Sequence, residues 1–131
     1  MRATGTFDVK ITPQASDLAP EGPNLGRISI DKQYHGDLEG PAKGEMLTAA
    51  GIAVKESAAY SAVERVSGTL HGKKGSFALQ HTGIMTRGTP SLSITVVPDS
   101  GTGELTGLTG KMDIMIEGQQ HSYVLEYEIK K

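Results

Sequence analysis

The sequence has no cysteine and no tryptophan among its 131 residues, and it has only two phenylalanines. The lack of cysteine excludes disulfide bonds, thiol catalysis and cysteine-ligated zinc or iron–sulfur centres. No run of about 18 apolar residues occurs, so no membrane-spanning segment is predicted. The first residues lack the apolar core of a secretory signal. We therefore expect a cytoplasmic protein with no membrane partner.

The sequence also lacks an excess of charge of either sign. Thirteen basic and 15 acidic residues give a net charge of −2, and no half of the chain is basic. Nucleic-acid-binding domains usually show basic patches and stacking aromatics, so we expect no nucleic-acid partner. No phosphate-binding loop pattern occurs among the 17 glycines, and no cofactor is expected.

What the sequence does contain is a series of short alternating segments between glycines. A chain of this length is about one domain, here residues 1–131. Short connections predict antiparallel neighbours, and a sheet of so many strands must close or split in two. We predict an all-β fold, a small antiparallel β-barrel of eight or nine strands. The predicted strands cover residues 4–12, 26–34, 36–48, 60–71, 76–86, 92–97, 103–109, 112–117 and 122–129.

Three places interrupt the strand pattern. Residues 14–24 contain two prolines and few apolar residues, which predicts a surface loop. Pro41 lies inside a predicted strand and indicates a bulge or an edge position. The alanine-rich segment 49–59 is predicted as a loop with at most one helical turn.

A glycine-leucine pattern recurs along the chain. Gly-x-Leu-x-Gly-x-x-Gly spans residues 68–75 and 103–110, and a version with one inserted residue spans 36–44. Glycines at such positions permit left-handed turns and the sharp coiling that closes a small barrel. The pattern either marks corners of the barrel or arises by chance in a glycine-rich chain.

The hairpin over residues 72–75 gives the most specific prediction about chemistry. With Lys73-Lys74 as a two-residue turn, Glu64 pairs with Gly83, and His81 lies diagonally from Glu64 on the same apolar face. Diagonal neighbours are about 7–8 Å apart, within reach of long side chains. A carboxylate and an imidazole beside the space left by a glycine are typical of a small acid–base or ligand-orienting site.

Structural alternatives stand beside this prediction. A longer turn would bring the opposite face together and pair Arg65 with Gln80 at the surface. Even in the predicted register, Glu64 and His81 can simply satisfy each other's hydrogen bonds in the barrel. Tyr60 lies on the same face as Glu64 and is a third candidate, either as a phenol at the barrel mouth or as a core residue.

No metal site or nucleophilic serine is predicted. No serine lies in a Gly-x-Ser-x-Gly turn. The histidines lack the His-x-His or His-x-x-x-His spacing of zinc ligands. They are His35, His71, His81 and His121.

A set of short motifs is spread over the chain from residue 4 to nearly the C-terminus. The motifs begin with Gly36-Asp-Leu-Glu-Gly, Gly44-Glu-Met-Leu, Glu64-Arg-Val-Ser-Gly, Gly75-Ser-Phe-Ala-Leu, Val96-Val-Pro-Asp-Ser and His121-Ser-Tyr-Val-Leu. Together they resemble a family of small bacterial proteins of unknown function, which is similar in fold to allene oxide cyclase. The resemblance implies a small antiparallel barrel whose lumen can hold a hydrophobic molecule, and a homo-oligomer, with a dimer expected. No residue-by-residue match to the functional positions of the cyclase is found.

The sequence thus predicts a barrel that binds a small, largely apolar molecule, with Glu64, His81 and Tyr60 as its polar contacts. Isomerase or cyclase chemistry would follow from confinement with modest acid–base help. The alternative is a non-catalytic barrel filled by its own side chains, with a dimer interface on its outer face. Exchange of Glu64 for glutamine should cost stability in the second case and ligand affinity in the first. The sequence leaves open whether the protein is an enzyme.

Overall fold

Alternation of apolar and polar residues runs along most of the chain, and each alternating segment forms a strand. The computed structural model describes residues 1–14, 22–51 and 56–130. None of the helical structure in these ranges is long and apolar enough to span a membrane. The elements are β1 (Arg2–Gln14), β2 (Asn24–Gly36), β3 (Leu38–Ala50), β4 (Ala58–Leu70), β5 (Lys73–Thr86), β6 (Thr89–Val96), a 3₁₀ helix (Gly103–Leu105), β7 (Leu108–Glu117) and β8 (Gln120–Ile129).

The strands form a closed barrel in which each strand pairs antiparallel with its neighbours in the chain. The last strand closes the barrel on the first, through pairs such as Ala3 with Leu125. The predicted all-β antiparallel barrel is confirmed. The strand predicted over residues 103–109 is wrong for residues 103–107, because Gly103 and Gly107 adopt positive φ angles of 59° and 88° that break the extended chain; residues 108 and 109 begin β7.

The β4–β5 hairpin turns two residues earlier than the sequence predicts, at His71-Gly72. Both residues have positive φ, 47° and 78°, as a type I′ turn requires, whereas lysines disfavour that conformation. The two lysines therefore belong to β5, and Glu64 pairs with Leu79 rather than with Gly83. Because the shift is an even number of residues, every side chain keeps its predicted face.

Pro41 lies within β3, which has a strand on each side and is not an edge. Pairing with β4 stops at Glu39 with Thr69 and resumes at Ala42 with Val66 in the same register. The bulge predicted at Pro41 is therefore wrong. Proline has no N–H to donate, so it interrupts the ladder without adding a residue to it.

Both predicted loops lie partly outside the described residues. The first predicted loop, 14–24, is described only at Gln14, which ends β1, and from residue 22 onward. In the second, Ala49 and Ala50 belong to β3, while Ala58 and Ala59 belong to β4. The loop predicted over 49–59 is therefore wrong at both ends, where β3 and β4 extend further than their alanine content suggests. Residues 52–55 of this segment lie outside the described ranges.

One end of the barrel, which we call the closed end, is filled by leucines. It carries the β2–β3 and β4–β5 turns and the 3₁₀ helix. Leu38, Leu70 and Leu105 are each at most 1% exposed there. These are the leucines of the recurring Gly-x-Leu pattern, so its three copies share one structural role. They extend a core that also contains Ala3, Phe7, Tyr34, Val66, Phe77, Leu79, Ile94, Val96, Leu108, Met112, Tyr123, Leu125 and Tyr127.

The opposite end, which we call the mouth, carries the β5–β6 and β7–β8 turns. Alternation turns apolar residues near the mouth ends of β1, β5, β6 and β7 inward. Four of these side chains are 41–65% exposed around the mouth. They are Ile11, Met85, Leu92 and Ile116.

A single hydroxyl holds the β2–β3 turn to the barrel wall. Tyr123 Oη on β8 accepts a hydrogen bond from the backbone N–H of Leu38 at 2.9 Å. It donates toward the carbonyl oxygens of His35 and Leu38, at 3.1 and 3.0 Å. The turn thus depends on a side chain that is distant in sequence.

We expect Tyr123→Phe to lower the free energy of unfolding by about 1–3 kcal/mol, because it leaves the buried Leu38 N–H without an acceptor. Urea denaturation measures the loss. Tyr60→Phe is the matched control, since the Tyr60 hydroxyl has no hydrogen-bond partner among the described residues; its effect should stay within about 0.5 kcal/mol. Equal losses in the two variants would contradict this account of the turn.

Candidate functional site

Four polar side chains meet inside the barrel, and we call them the lumen cluster: Lys32, Tyr34, Glu64 and His81. Strand β2 supplies the first two, β4 supplies the glutamate and β5 supplies the histidine. All occupy inward positions, because each alternates with outward-facing neighbours along its strand. The Glu64 side chain has no exposed surface, and those of Lys32 and His81 retain 6% and 4%.

Glu64 is the centre of the cluster. Its Oε1 accepts hydrogen bonds from Lys32 Nζ at 2.9 Å and from His81 Nε2 at 2.5 Å. Tyr34 donates its hydroxyl to the same carboxylate, 3.0 Å from Oε2. A buried carboxylate is stable only when its oxygens are paired in this way.

Small residues on β3 make room for the glutamate. Gly44 is its register partner across the β3–β4 ladder. A Cβ atom at Gly44 would lie 2.1 Å from the carbonyl oxygen of Val63 and 2.9 Å from Cβ of Glu64. The two strands can therefore approach each other at this level only with glycine at position 44.

The surroundings of Glu64 keep it ionised. Burial by itself raises the pKa of the carboxyl group, but the hydrogen bond from His81 and the charge and hydrogen bond of Lys32 outweigh it. The net result is a pKa below that of an ordinary glutamate. Burial, and then the charge of Glu64, raise the pKa of Tyr34 well above its usual value, so the phenol stays protonated and donates.

The charge of Glu64 also decides which nitrogen of His81 carries a proton. A carboxylate only accepts hydrogen bonds, so Nε2 must be the donor toward Oε1. Nδ1 has no hydrogen-bond partner in residues 1–14, 22–51 and 56–130. Glu64 thus orients the imidazole and leaves Nδ1 for a contact within the lumen.

Tyr60 lies next to the cluster on the side of the mouth. Its ring centroid is 6.4 Å from that of His81, and its register partner is Gly83. A Cβ at Gly83 would lie 2.2 Å from Cε1 of Tyr60, so the aromatic ring occupies the space above the glycine. The sequence predicts that Glu64 faces the space above Gly83. This prediction is wrong, because the register is shifted and Gly83 pairs with Tyr60. Burial, and then the charge of Glu64, raise the pKa of Tyr60.

The structure places Glu64 and His81 in direct contact and Tyr60 beside them on the same face. Sequence reasoning missed Lys32 and Tyr34. The signal was present, because Ile28 and Ile30 are inward-facing and the same alternation continues to both residues. A lysine on a strand is usually read as solvent-exposed, and this one lies over the ring of Phe7 at 4.8 Å.

The other histidines lie in three separate places. His35 faces outward and contacts Asp8 at 3.1 Å. His71, in the β4–β5 turn, bonds to the Tyr127 hydroxyl at the closed end. His121 packs against the ring of Phe7. No group of three or more metal-binding side chains occurs in the part of the chain that the structure describes.

The lowered pKa of Glu64 makes stability depend on pH. Its contribution is complete above the pKa of an unfolded glutamate, about 4.3, and is lost as the pH falls through the lower value of the folded state. We expect the free energy of unfolding of the wild type to fall more steeply in this acid range than that of Lys32→Met/Glu64→Gln, which lacks the ion pair. Urea titrations at several pH values measure both slopes.

Glu45→Gln is the control for acid stability, because that carboxylate pairs with Arg27 on the exposed outer face. Exposed ion pairs contribute little, so this variant should keep the steep acid dependence of the wild type. Identical pH profiles for the wild type and the double variant would show that Glu64 does not cause the loss of stability in acid.

Comparison with known proteins gives a family but no activity. A crystal structure of a DUF3224-family protein of unknown function from Shewanella oneidensis MR-1 superposes with a TM-score of 0.94. It is 49% identical in sequence, and the alignment covers 100% of this chain and 98% of that one. No curated protein gives a significant match. The family model for DUF3224, proteins of unknown function, matches residues 3–127, and the chain therefore belongs to this family.

Proposed function

We propose that the barrel binds a small, largely apolar molecule at the mouth end of its lumen. The observation that carries the proposal is the position of the lumen cluster below a rim of exposed apolar side chains. Along β5 toward the mouth, His81 is followed inward by Gly83 and then by Met85, which is 41% exposed. An apolar molecule entering past this rim would meet Tyr60 first and His81 next. Concave sites with apolar walls and a few polar groups are typical of ligand binding.

The composition of the cluster supports binding over simple core filling. Removing Lys32 and Glu64 from water costs several kcal/mol per ion, and apolar residues of similar volume often stabilise a protein as well or better. The rest of the lumen is filled by apolar and aromatic side chains. A charged cluster placed where the lumen meets the mouth is thus better explained by chemistry than by stability.

The same geometry suits isomerase or cyclase chemistry. Glu64 is saturated by its three donors and acts as the positioning group, while His81 Nδ1 accepts a proton and the Tyr60 hydroxyl donates a hydrogen bond. An isomerisation moves a proton or closes a ring within one molecule, so it needs no second reactant. The narrow barrel would add confinement of the substrate in one conformation.

The second candidate is a barrel without a ligand, and the filling of the closed end favours it. Leu38, Leu70 and Leu105 leave almost no accessible surface there. Eight-stranded barrels are narrow enough for their own side chains to fill them. In that case the lumen cluster would fix one arrangement of β2, β4 and β5 and nothing more.

Glu64→Gln alone does not separate the two candidates. Glu64 neutralises the buried ammonium of Lys32 at 2.9 Å. Removing the negative charge leaves that ammonium unpaired, which costs about 3–5 kcal/mol whatever the function. A test that separates the two candidates therefore needs variants that leave the Lys32–Glu64 ion pair intact.

We expect native mass spectrometry of the protein purified from cell lysate to show a co-purifying apolar molecule in the wild type. His81→Gln keeps an N–H donor for Glu64 but lacks the free imidazole nitrogen, and Tyr60→Phe lacks only the hydroxyl. Both should lose most of the bound molecule and keep the wild-type melting temperature within a few degrees. Denaturation of the complex then identifies the chemical class of the ligand.

His35→Gln is the matched control, because this histidine lies on the outer surface with 46% of its side chain exposed. It should retain the molecule in full. A bare protein mass for the wild type, or equal retention in all variants, would favour the barrel without a ligand.

A further inference from the structure

In the part of the chain that the structure describes, large apolar residues on the outside of the barrel cluster on one side. Large apolar residues at outward positions of β2 to β5 are about half exposed or more, from 49% for Ile84 to 62% for Leu47. We call this surface the apolar outer face. It consists of Leu25, Leu47, Ala49, Ala59, Val63 and Ile84.

The strand register brings these side chains together. Leu25 pairs with Ala49, Ala49 with Ala59, and Ala59 with Ile84, which makes one apolar row across four strands. Leu47 is the next outward-facing residue on β3, two residues before Ala49 and farther from the mouth. Neighbouring outward positions lie about 7 Å apart along a strand and about 5 Å apart across strands, so the row is continuous.

The remainder of the outer surface differs. The outward positions of β1, on the neighbouring wall of the barrel, are all polar or charged: Arg2, Thr4, Thr6, Asp8, Lys10 and Thr12. Single exposed apolar residues are common on monomers, but a continuous group on four strands marks an interaction surface.

The shape of the apolar outer face fits a copy of itself. Val63 stands between two shallow grooves of about 280 Å³ each. The first is bordered by Leu47 and Ser61, and the second by Gly44 and Ala78. Small side chains on either side of Val63 create the grooves, while Leu47 and Val63 project. One surface that carries both projections and grooves meets the requirement of a two-fold interface, where the same patch contacts itself.

The charges around the face also favour a second copy. Both signs are present: Arg27 pairs with Glu45 at 2.7 Å, and Lys43 lies 3.8 Å from Asp31. Arg65, next to Val63 in the outward row of β4, has no carboxylate within 4 Å among the described residues. A face of mixed sign does not repel its own copy, whereas a polyanion or a strongly basic partner would need charges of one sign.

The apolar outer face lies where the strands pair with one another across β2, β3, β4 and β5. The β6–β7 seam is short, with Ile94 paired to Met112 and Thr95 to Lys111, and it lies outside this face. A partner on the apolar outer face must therefore pack against side chains, as in two sheets packed about 10 Å apart. We propose that the apolar outer face, centred on Val63 and Leu47, binds the same face of a second copy of the chain in a two-fold dimer.

Sedimentation velocity over a concentration series tests the dimer. We expect the wild type to have the mass of two chains, and Val63→Lys and Leu47→Lys to have the mass of one. Both positions are exposed, so lysine there is tolerated by the fold. Met115→Lys is the matched control: Met115 is an exposed apolar residue on β7, outside the apolar outer face, and its variant should remain a dimer.

Four results would overturn the proposal. A wild type with the mass of one chain at every concentration shows that the face has no partner copy. Retention of the dimer in both lysine variants places the interface elsewhere, as does its loss in Met115→Lys. A mass of three or more chains excludes the two-fold pairing. Far-ultraviolet circular dichroism of each variant separates loss of association from loss of folding.

Discussion

Pairing of β8 with β1 is the constraint on which the rest of the structure depends. It joins the two ends of the chain through pairs such as Ala3 with Leu125, and the N-terminal amine donates to the carbonyl oxygen of Tyr127 at 2.8 Å. Once the sheet is closed, alternate residues of every strand must point into a lumen about as wide as the side chains that fill it. Because successive side chains alternate between the two faces of the closed sheet, every second residue of a strand lies in the lumen. This holds also for charged residues, which would remain in water if the sheet were open.

Lys32, Glu64 and His81 show what this constraint requires. None of them can turn to the outer surface without moving its whole strand by one residue. The charges must therefore be satisfied inside, and Glu64 does so by accepting from both other residues and from Tyr34. The result has a chemical consequence, because pairing Nε2 of His81 with the carboxylate leaves Nδ1 as its remaining polar atom. The hydrogen bond that satisfies the buried charge is thus also the one that leaves Nδ1 available to the proposed ligand.

Much of this could be predicted from the sequence, and the failures have identifiable causes. Alternation identifies the strands and their inner faces, so Glu64 and His81 are found on one face even though Glu64 pairs with Leu79, four residues from its predicted partner Gly83. The position of the turn is ambiguous from the sequence, because His71 adopts a positive φ angle of 47°, which is uncommon for any residue other than glycine. Lys32 was missed because burial of a lysine depends on partners from other strands, which a local pattern does not contain.

Strand β4 contributes to both proposed surfaces, and alternation keeps them apart. Ala62 and Glu64 face the lumen, whereas Val63 and Arg65 between and beside them face outward. Main-chain hydrogen bonds to β3 and β5 hold the strand on both sides, so a substitution at Val63 alters the outer surface without reaching Glu64. Conversely, changes at Tyr60 or His81 leave the outward side chains in place. The proposed dimer and the proposed lumen ligand would therefore use the two faces of the same strand, and each proposal can be tested while the other face is unchanged.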